Sequence, residues 1–141
     1  MDSVRLLALR ETPLSVDEVL AAVTDPGVGG TALFTGSVRD DDGGRGVTLL
    51  GYSAHPTAEA VLRQVAERVS AAHPGVLLAA THRVGDLAVG DLAVVVAAAS
   101  AHRGEAFAAA RQLIDDLKGE VPIWKHQRFA DGTEEWVGAP A

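Results

Sequence analysis

The sequence contains no cysteine among its 141 residues. Disulfide bonds, thiolate metal sites and a persulfide carried on this chain are all excluded, because each of them needs a thiol. Any sulfur handled by this protein must therefore be brought by another molecule. The histidines also lack the close spacing of a zinc site, and they are His55, His73, His82, His102 and His126. Since no Walker, G-x-S-x-G or dinucleotide-binding pattern is present either, we expect neither a metal nor a cofactor.

Lysine is almost as scarce as cysteine. Of the 12 lysine and arginine residues, only Lys118 and Lys125 are lysines. Arginine stays protonated near neutral pH, whereas burial and neighbouring cations can tune a lysine to act as an acid, a base or a nucleophile. We therefore expect a primary amine to be used at these two positions.

An excess of positive charge is also missing, since the formal net charge is −7 and the pI is near 5.1. This argues against a nucleic-acid or anionic-membrane partner, because both need a basic face, so an anionic ligand must meet a local cluster of cations.

The N-terminal apolar run is too short for a signal peptide and no stretch has membrane-spanning length, so we expect a cytoplasmic protein. A hydrophobic content of 48% favours a single domain over residues 1–141.

Hydrophobic periodicity predicts strands over residues 4–10, 31–38, 47–53, 76–84, 92–99, 123–129 and 134–137. Helices are predicted over residues 16–23, from residue 57 to the Pro74-Gly75 break, and between residues 102 and 118. Residues 40–46 have the composition of a loop that turns residues 47–53 back as a hairpin. Because hairpins and crossover helices occur together in this order, the predicted fold class is α+β, with a mixed or antiparallel sheet and about three helices.

His102 and Arg103 lie where a buried strand ends and the third helix begins. Unpaired backbone N–H groups and the positive end of the helix dipole converge at such a point, and an arginine beside them suits a phosphate or carboxylate. An anion site and an ordinary helix start with a solvated arginine both fit this pattern. Arg39, which closes the strand over residues 31–38, is a second candidate anion contact, with Gly36 allowing close approach.

Lys118 lies in the last turn of the third helix, and Lys125 follows on the next strand. Gly119 is placed to cap the helix and Pro122 to stop it, so a reversal of the chain would turn both amines toward one pocket. The alternatives are a cation stabilised by the helix dipole for Lys118 and a solvated strand residue for Lys125. For His82, within a strand, we expect packing or a hydrogen bond to the backbone.

Four motifs, in order along the chain, carry a resemblance to a known family. They are FTGSVR at residues 34–39, HRVGDLAVGD at 82–91, SAHRGEAFAAA at 100–110 and DDLKGEVPIWK at 115–125, followed by a final DG and WV. In this combination the chain resembles the catalytic (large) subunits of molybdopterin synthase, the MoaE family. The resemblance implies an α/β-hammerhead-type fold and an enzyme of molybdenum cofactor biosynthesis.

The resemblance also implies a reaction and its partners. A small ubiquitin-like subunit would carry sulfur as a thiocarboxylate on its C-terminal Gly-Gly. This chain would transfer two such sulfurs to cyclic pyranopterin monophosphate and so form the molybdopterin dithiolene. The large subunit would be a homodimer with one small subunit at each end, giving a heterotetramer.

The site residues implied by the resemblance fall on the quoted motifs. Lys118 and Lys125 would be catalytic and would also contact the substrate. The other implied substrate-binding residues are Ser37, Val38, Arg39, His102, Arg103, His126 and Gln127. A cysteine-free chain suits an enzyme whose sulfur arrives on a partner, and local cations suit the phosphate of the substrate.

Two other functions remain open at this point. A non-catalytic scaffold would bind the ubiquitin-like tail or a phosphorylated ligand, and it would tolerate the loss of Lys118. An unrelated Schiff-base enzyme would form an imine on one lysine, which borohydride would trap.

Overall fold

The computed structural model describes residues 2–137. Three helices and nine strands alternate along them in a mixed order. They are β1 (Val4–Arg10), α1 (Val16–Ala22), β2 (Gly30–Ser37), β3 (Asp41–Asp42), β4 (Arg45–Ala54), α2 (Ala58–Ala72), β5 (Leu77–Arg83), β6 (Gly85–Ala88), β7 (Leu92–Ser100), α3 (Arg103–Glu120), β8 (Ile123–Phe129) and β9 (Glu134–Val137). This mixture of three helices with mixed and antiparallel pairing confirms the predicted α+β class.

The first sheet has the strand order β1-β5-β7-β2, in which only β1 and β5 pair in parallel. Alternation along β5 sends Leu78 and Ala80 into the larger core under α2 and α3, and Leu77 and Ala79 into a second core against α1. Helix α3 is fixed on this sheet by Leu113 and its other buried apolar residues. The sheet therefore holds the last turn of α3 close to the end of β5.

The second sheet has the order β3-β4-β8-β9, and β6 pairs with the other edge of β4. A small apolar cluster of Val38, Leu50, Leu87 and Ala93 connects it to the ends of β2 and β7. The side chains that face α3 from this sheet come from β4 and β8, which pair antiparallel over residues 47–54 and 123–129.

The prediction that residues 47–53 return as a hairpin partner of the preceding strand is wrong. β2 pairs with β7, and β4 belongs to the other sheet. The chain leaves the first sheet because the backbone of Val38 bonds instead to Gly90 and Asp91. Residues 41–46 form a small hairpin of their own, and the pairing of β6 with β4 was not predicted. The close approach predicted at Gly36 is made by a side chain of the protein itself. A Cβ at this position would lie 2.8 Å from Cγ1 of Val94.

Gly119 is not the cap of α3, although the sequence predicts it there. The helix runs through Gly119 to Glu120, and Val121 ends it in an extended conformation, with φ −74° and ψ 122°. The cause is Pro122, because the ring of a proline disfavours helical backbone at the residue before it. The helix therefore ends without a left-handed turn, and the chain passes directly into β8.

Within residues 2–137, no helix is long and apolar enough to cross a membrane. The same part of the chain contains no group of three or more histidine, aspartate or glutamate side chains arranged to hold a metal ion.

Candidate active site

The two lysines line one cavity of about 190 Å³ between α3 and the second sheet. Its walls are formed by Tyr52, His82, Leu117, Lys118, Val121, Ile123, Lys125 and Val137. Lys118 comes from the last turn of α3, and the extended Val121-Pro122 segment brings Lys125 back alongside it on β8. The direct passage from helix to strand therefore places both lysine amines of the chain at one site.

A second cavity, of about 150 Å³, adjoins the first and shares Tyr52, Lys118 and Lys125 with it. Its other walls are formed by Ser37, Val38, Arg39, Asp41, Asp42, Leu50 and Gln127. The fold thus joins the end of the FTGSVR segment to the two lysines, although more than 75 residues separate them in sequence. Within residues 2–137, Arg39 and the two lysines form no ion pair, so their charges remain available to an anion.

Gln127 fixes one wall of the second cavity. Its side chain is 2% exposed, and its Nε2 donates a 2.8 Å hydrogen bond to Oδ2 of Asp42. Val38 is also buried, and its backbone N–H donates to the carbonyl of Asp91. Both residues therefore shape the cavity through contacts within the protein, whereas the Ser37 side chain is exposed.

Lys118 has a lowered pKa. The first cause is burial of its amine against the cavity walls, and the second is the positive charge of Lys125. Solvent still reaches much of the side chain through the open mouth of the cavity. The site thus contains an amine that releases its proton more readily than an ordinary lysine and stays accessible to a ligand.

Tyr52 and His82 belong to the site, although sequence reasoning gave them no role there. Tyr52 lies opposite Lys125 in the pairing of β4 and β8, so both side chains emerge on the same face of the sheet. Burial raises the pKa of the Tyr52 phenol. A signal was present for His82, because strict alternation along β5 places it on the same side as Leu78 and Ala80, which face α3.

His82 itself behaves as the sequence predicts for a strand histidine. It is 5% exposed, and its Nδ1 lies 2.7 Å from the backbone carbonyl of Arg83. Its ring meets that of Tyr52 edge to face, with the ring centroids 4.9 Å apart. Asp41 and Asp42 were also missed, because a loop composition does not indicate which way its side chains face.

His102 and Arg103 lie outside the two cavities. They stand at the start of α3, 15 residues before Lys118, which corresponds to about 22 Å along a helix. His102 is the N-cap residue but makes no capping hydrogen bond with its side chain, and Arg103 lines a separate apolar groove with Phe107. Within one copy of the chain, these two residues do not reach the lysines.

His126 also lies apart from the lysines. It alternates with Lys125 and Gln127 along β8, so its side chain emerges on the opposite face of the sheet. There it stacks on Trp136, with the ring centroids 4.5 Å apart, and its Nε2 lies 3.6 Å from Oε2 of Glu134. The structure therefore brings six of the nine candidate residues together, namely Ser37, Val38, Arg39, Lys118, Lys125 and Gln127.

Comparisons of the sequence and of the fold with known proteins agree on one family. A family model described as "MoaE protein" matches residues 9–120. Molybdopterin synthase catalytic subunit 1 of Mycobacterium tuberculosis is 49% identical over 131 residues, which are 92% of this chain and 88% of that relative. A crystal structure of molybdopterin synthase from Staphylococcus aureus matches with a TM-score of 0.86 and 30% identity, covering 98% of both chains.

A more distant structure is the complex of subunits 1 and 2 of the molybdopterin-converting factor from Helicobacter pylori. Its matching chain has a TM-score of 0.74 and 23% identity, covering 93% of this chain and 89% of that one, so the likeness shows the fold alone. The family match over most of the chain, together with relatives named as molybdopterin synthase catalytic subunits, shows that this chain belongs to the MoaE family.

Proposed function

We propose that this chain is the catalytic subunit that transfers sulfur from a thiocarboxylated small subunit to cyclic pyranopterin monophosphate. The observation that carries the proposal is the pair of adjoining cavities with Lys118 and Lys125 on their shared wall. One cavity has walls that are half apolar, and the other is lined by Arg39 together with both lysines. An extended peptide tail and an anionic substrate could thus meet at the same two amines.

The second cavity suits the anionic substrate. Arg39, Lys118 and Lys125 face it without an ion-pairing carboxylate of their own in the described chain, so a phosphate group would supply the missing negative charge. Asp41 and Asp42 line the same cavity and offer acceptors for the N–H groups of a pterin ring. Ser37 adds an exposed hydroxyl. Gln127 and Val38 contribute by holding the walls in place.

The first cavity suits the C-terminal tail of the small subunit. A tail ending in two glycines is narrow enough for a cleft of this volume, and its thiocarboxylate would arrive beside the two amines. In the Helicobacter pylori relative, subunits 1 and 2 form a complex, which supports a partner of this kind for the fold.

The sulfur step needs both proton transfer and charge stabilisation. The thiocarboxylate sulfur attacks an oxygen-bearing carbon of the substrate, so that a C–S bond forms while the C–O bond breaks and the departing oxygen takes up a proton. Water then cleaves the acyl–sulfur bond, so the sulfur stays on the pterin and the small subunit leaves as a carboxylate. A lysine with a lowered pKa can exchange a proton during these steps, and a charged lysine beside it stabilises the developing anion.

His102 and Arg103 can act on this substrate only from a second copy of the chain. The length of α3 keeps them about 22 Å from the lysine of their own copy. They adjoin an apolar face formed by Leu33 and Phe34 of β2 and Phe107 of α3, which are 42%, 40% and 65% exposed. Because β2 is an edge strand, a second copy packed on this face would form the homodimer and carry the two cations toward its partner's substrate.

For His126 we propose a supporting role in place of direct substrate binding. Stacked on Trp136 and close to Glu134, it holds β8 against β9 on the far face of the sheet. It therefore supports the strand that carries Lys125, and its own contact with substrate would require a rearrangement of β9.

The test is a single-turnover assay that mixes the purified chain, a thiocarboxylated small subunit and cyclic pyranopterin monophosphate. Molybdopterin is detected as its fluorescent oxidation product. We expect product in proportion to the complex formed. A stable complex of the two proteins that yields no product would contradict the proposal and favour the non-catalytic scaffold.

A further inference from the structure

His82 is a buried titratable residue that faces the two lysines and has no part in the reaction described above. It lies at the end of β5 and lines the first cavity together with Tyr52 and Lys118. Its surroundings are tightly defined, because the ring is 5% exposed and packs edge to face on Tyr52. A side chain held in this way presents one fixed edge to the cavity.

The hydrogen bond to Arg83 selects one tautomer of the ring. A backbone carbonyl can only accept a hydrogen bond, so Nδ1 of His82, 2.7 Å from that oxygen, must carry a proton. Burial, opposed by this hydrogen bond and reinforced by the charge of Lys118, lowers the pKa of His82 to about 4. The ring is therefore neutral at physiological pH, and its Nε2 carries a lone pair.

Lys118 lies on the wall of the same cavity as His82. Its positive charge contributes to the lowered pKa of His82, as expected for two side chains that share a cavity. We propose that His82 is a positioning residue, whose Nε2 accepts a hydrogen bond from the Lys118 amine and aims it at the sulfur acceptor. This inference rests on the proposed function of Lys118.

The role is distinct from that of the other groups around Lys118. Lys125 repels a charged amine, Tyr52 presents a phenol, and Arg39, Asp41 and Asp42 face the adjoining cavity. A long lysine side chain at the end of a helix has many rotamers, and a fixed acceptor restricts them. Misplacement of a reacting group by about 1 Å can cost about 100-fold in rate.

Two matched variants separate positioning from packing. His82→Leu and His82→Gln both lose the bond to the Arg83 carbonyl, but only glutamine offers an acceptor oxygen at the ε position. We expect kcat of the His82→Leu complex to fall by about 10-fold or more with little change in KM, and that of His82→Gln to stay within about 3-fold of wild type. Equal kcat values for the two variants, or a wild-type value for His82→Leu, would overturn the inference.

A second measurement follows the titration of the Lys118 amine and needs no turnover. It is feasible because the chain has only two lysines. Reductive methylation with ¹³C formaldehyde labels two side-chain amines and the N-terminal amine, and Lys125→Arg assigns the signals. Loss of the acceptor removes stabilisation of the charged amine, so the titration midpoint of Lys118 should fall in His82→Leu and recover in His82→Gln. An unchanged midpoint in all three proteins would show that His82 does not contact Lys118.

Failure of the two proposals can be told apart. If wild-type protein forms no product, the proposed function fails, whatever the His82 variants do. If wild type turns over and the His82 variants do not differ in kcat or in the Lys118 signal, only the positioning role fails. Thermal unfolding of each variant confirms that the compared proteins are folded.

Discussion

Lys118 and Lys125 line the same two cavities, and the charge of Lys125 adds to burial in lowering the pKa of Lys118. The two residues come from different elements, the last turn of α3 and the strand β8 that follows it. Only Val121 and Pro122 separate these elements, so small changes there would alter the distance between the amines.

The lowered pKa of Lys118 predicts its reactivity. Below the ordinary lysine value of 10.5, a lowered pKa leaves a larger fraction of the amine neutral and nucleophilic. Lys118 should therefore react faster than a free lysine with limiting acetic anhydride at pH 8. Lys125→Ala removes the neighbouring charge, so the reaction of Lys118 should slow by a few-fold. Peptide mass spectrometry measures the rate, and acceleration in Lys125→Ala would contradict the assigned cause.

The distance between Arg103 and Lys118 predicts complementation between copies. Arg103→Ala and Lys118→Ala should each be inactive alone, because each removes one half of every site. In a randomly mixed population of dimers, about a quarter of the sites would combine an intact Lys118 with an intact Arg103 of the other copy. Activity near this fraction after unfolding and refolding the mixture is the expected result. A mixture as inactive as its components would show that Arg103 does not act across copies.

Thr81 offers a test of the packing of β5 on the face opposite to His82. Its side chain is 1% exposed, and its Oγ1 has no hydrogen-bond partner within residues 2–137. Thr81→Val removes this unpaired hydroxyl at nearly constant shape, so the free energy of unfolding should rise by about 1 kcal/mol. The control is Thr48→Val, because the Thr48 hydroxyl is paired with the carbonyl of Arg128 at 3.3 Å. Urea unfolding measures both, and a loss of stability in Thr81→Val would show that its hydroxyl has a partner.

The sequence was most informative where local chemistry decides the structure. The strands β8 and β9 begin and end where alternation predicts. Gly119 shows the limit of such patterns. Either Gly119 or Pro122 could have ended α3, and the proline determined the outcome because it restricts Val121.

The sequence predicted only part of the candidate site. Lys118, Lys125 and Arg39 lie together as expected, but Tyr52 and His82 join them through the pairing of β4 with β8 and the packing of β5 under α3. These are long-range contacts that periodicity does not specify. The distance between Arg103 and Lys118 follows from the rise of the predicted helix, so it could be predicted without the structure.

The measurement that tests the central claim most directly is single-turnover formation of molybdopterin by Lys118→Ala in complex with the thiocarboxylated small subunit. The control is Arg63→Ala, which removes an exposed cation from α2, away from both cavities and from the proposed dimer face. We expect Lys118→Ala to bind the small subunit like wild type and to lose about 100-fold or more in rate, whereas Arg63→Ala keeps its activity. Turnover by Lys118→Ala at the wild-type rate would contradict the assignment of the reaction to this amine.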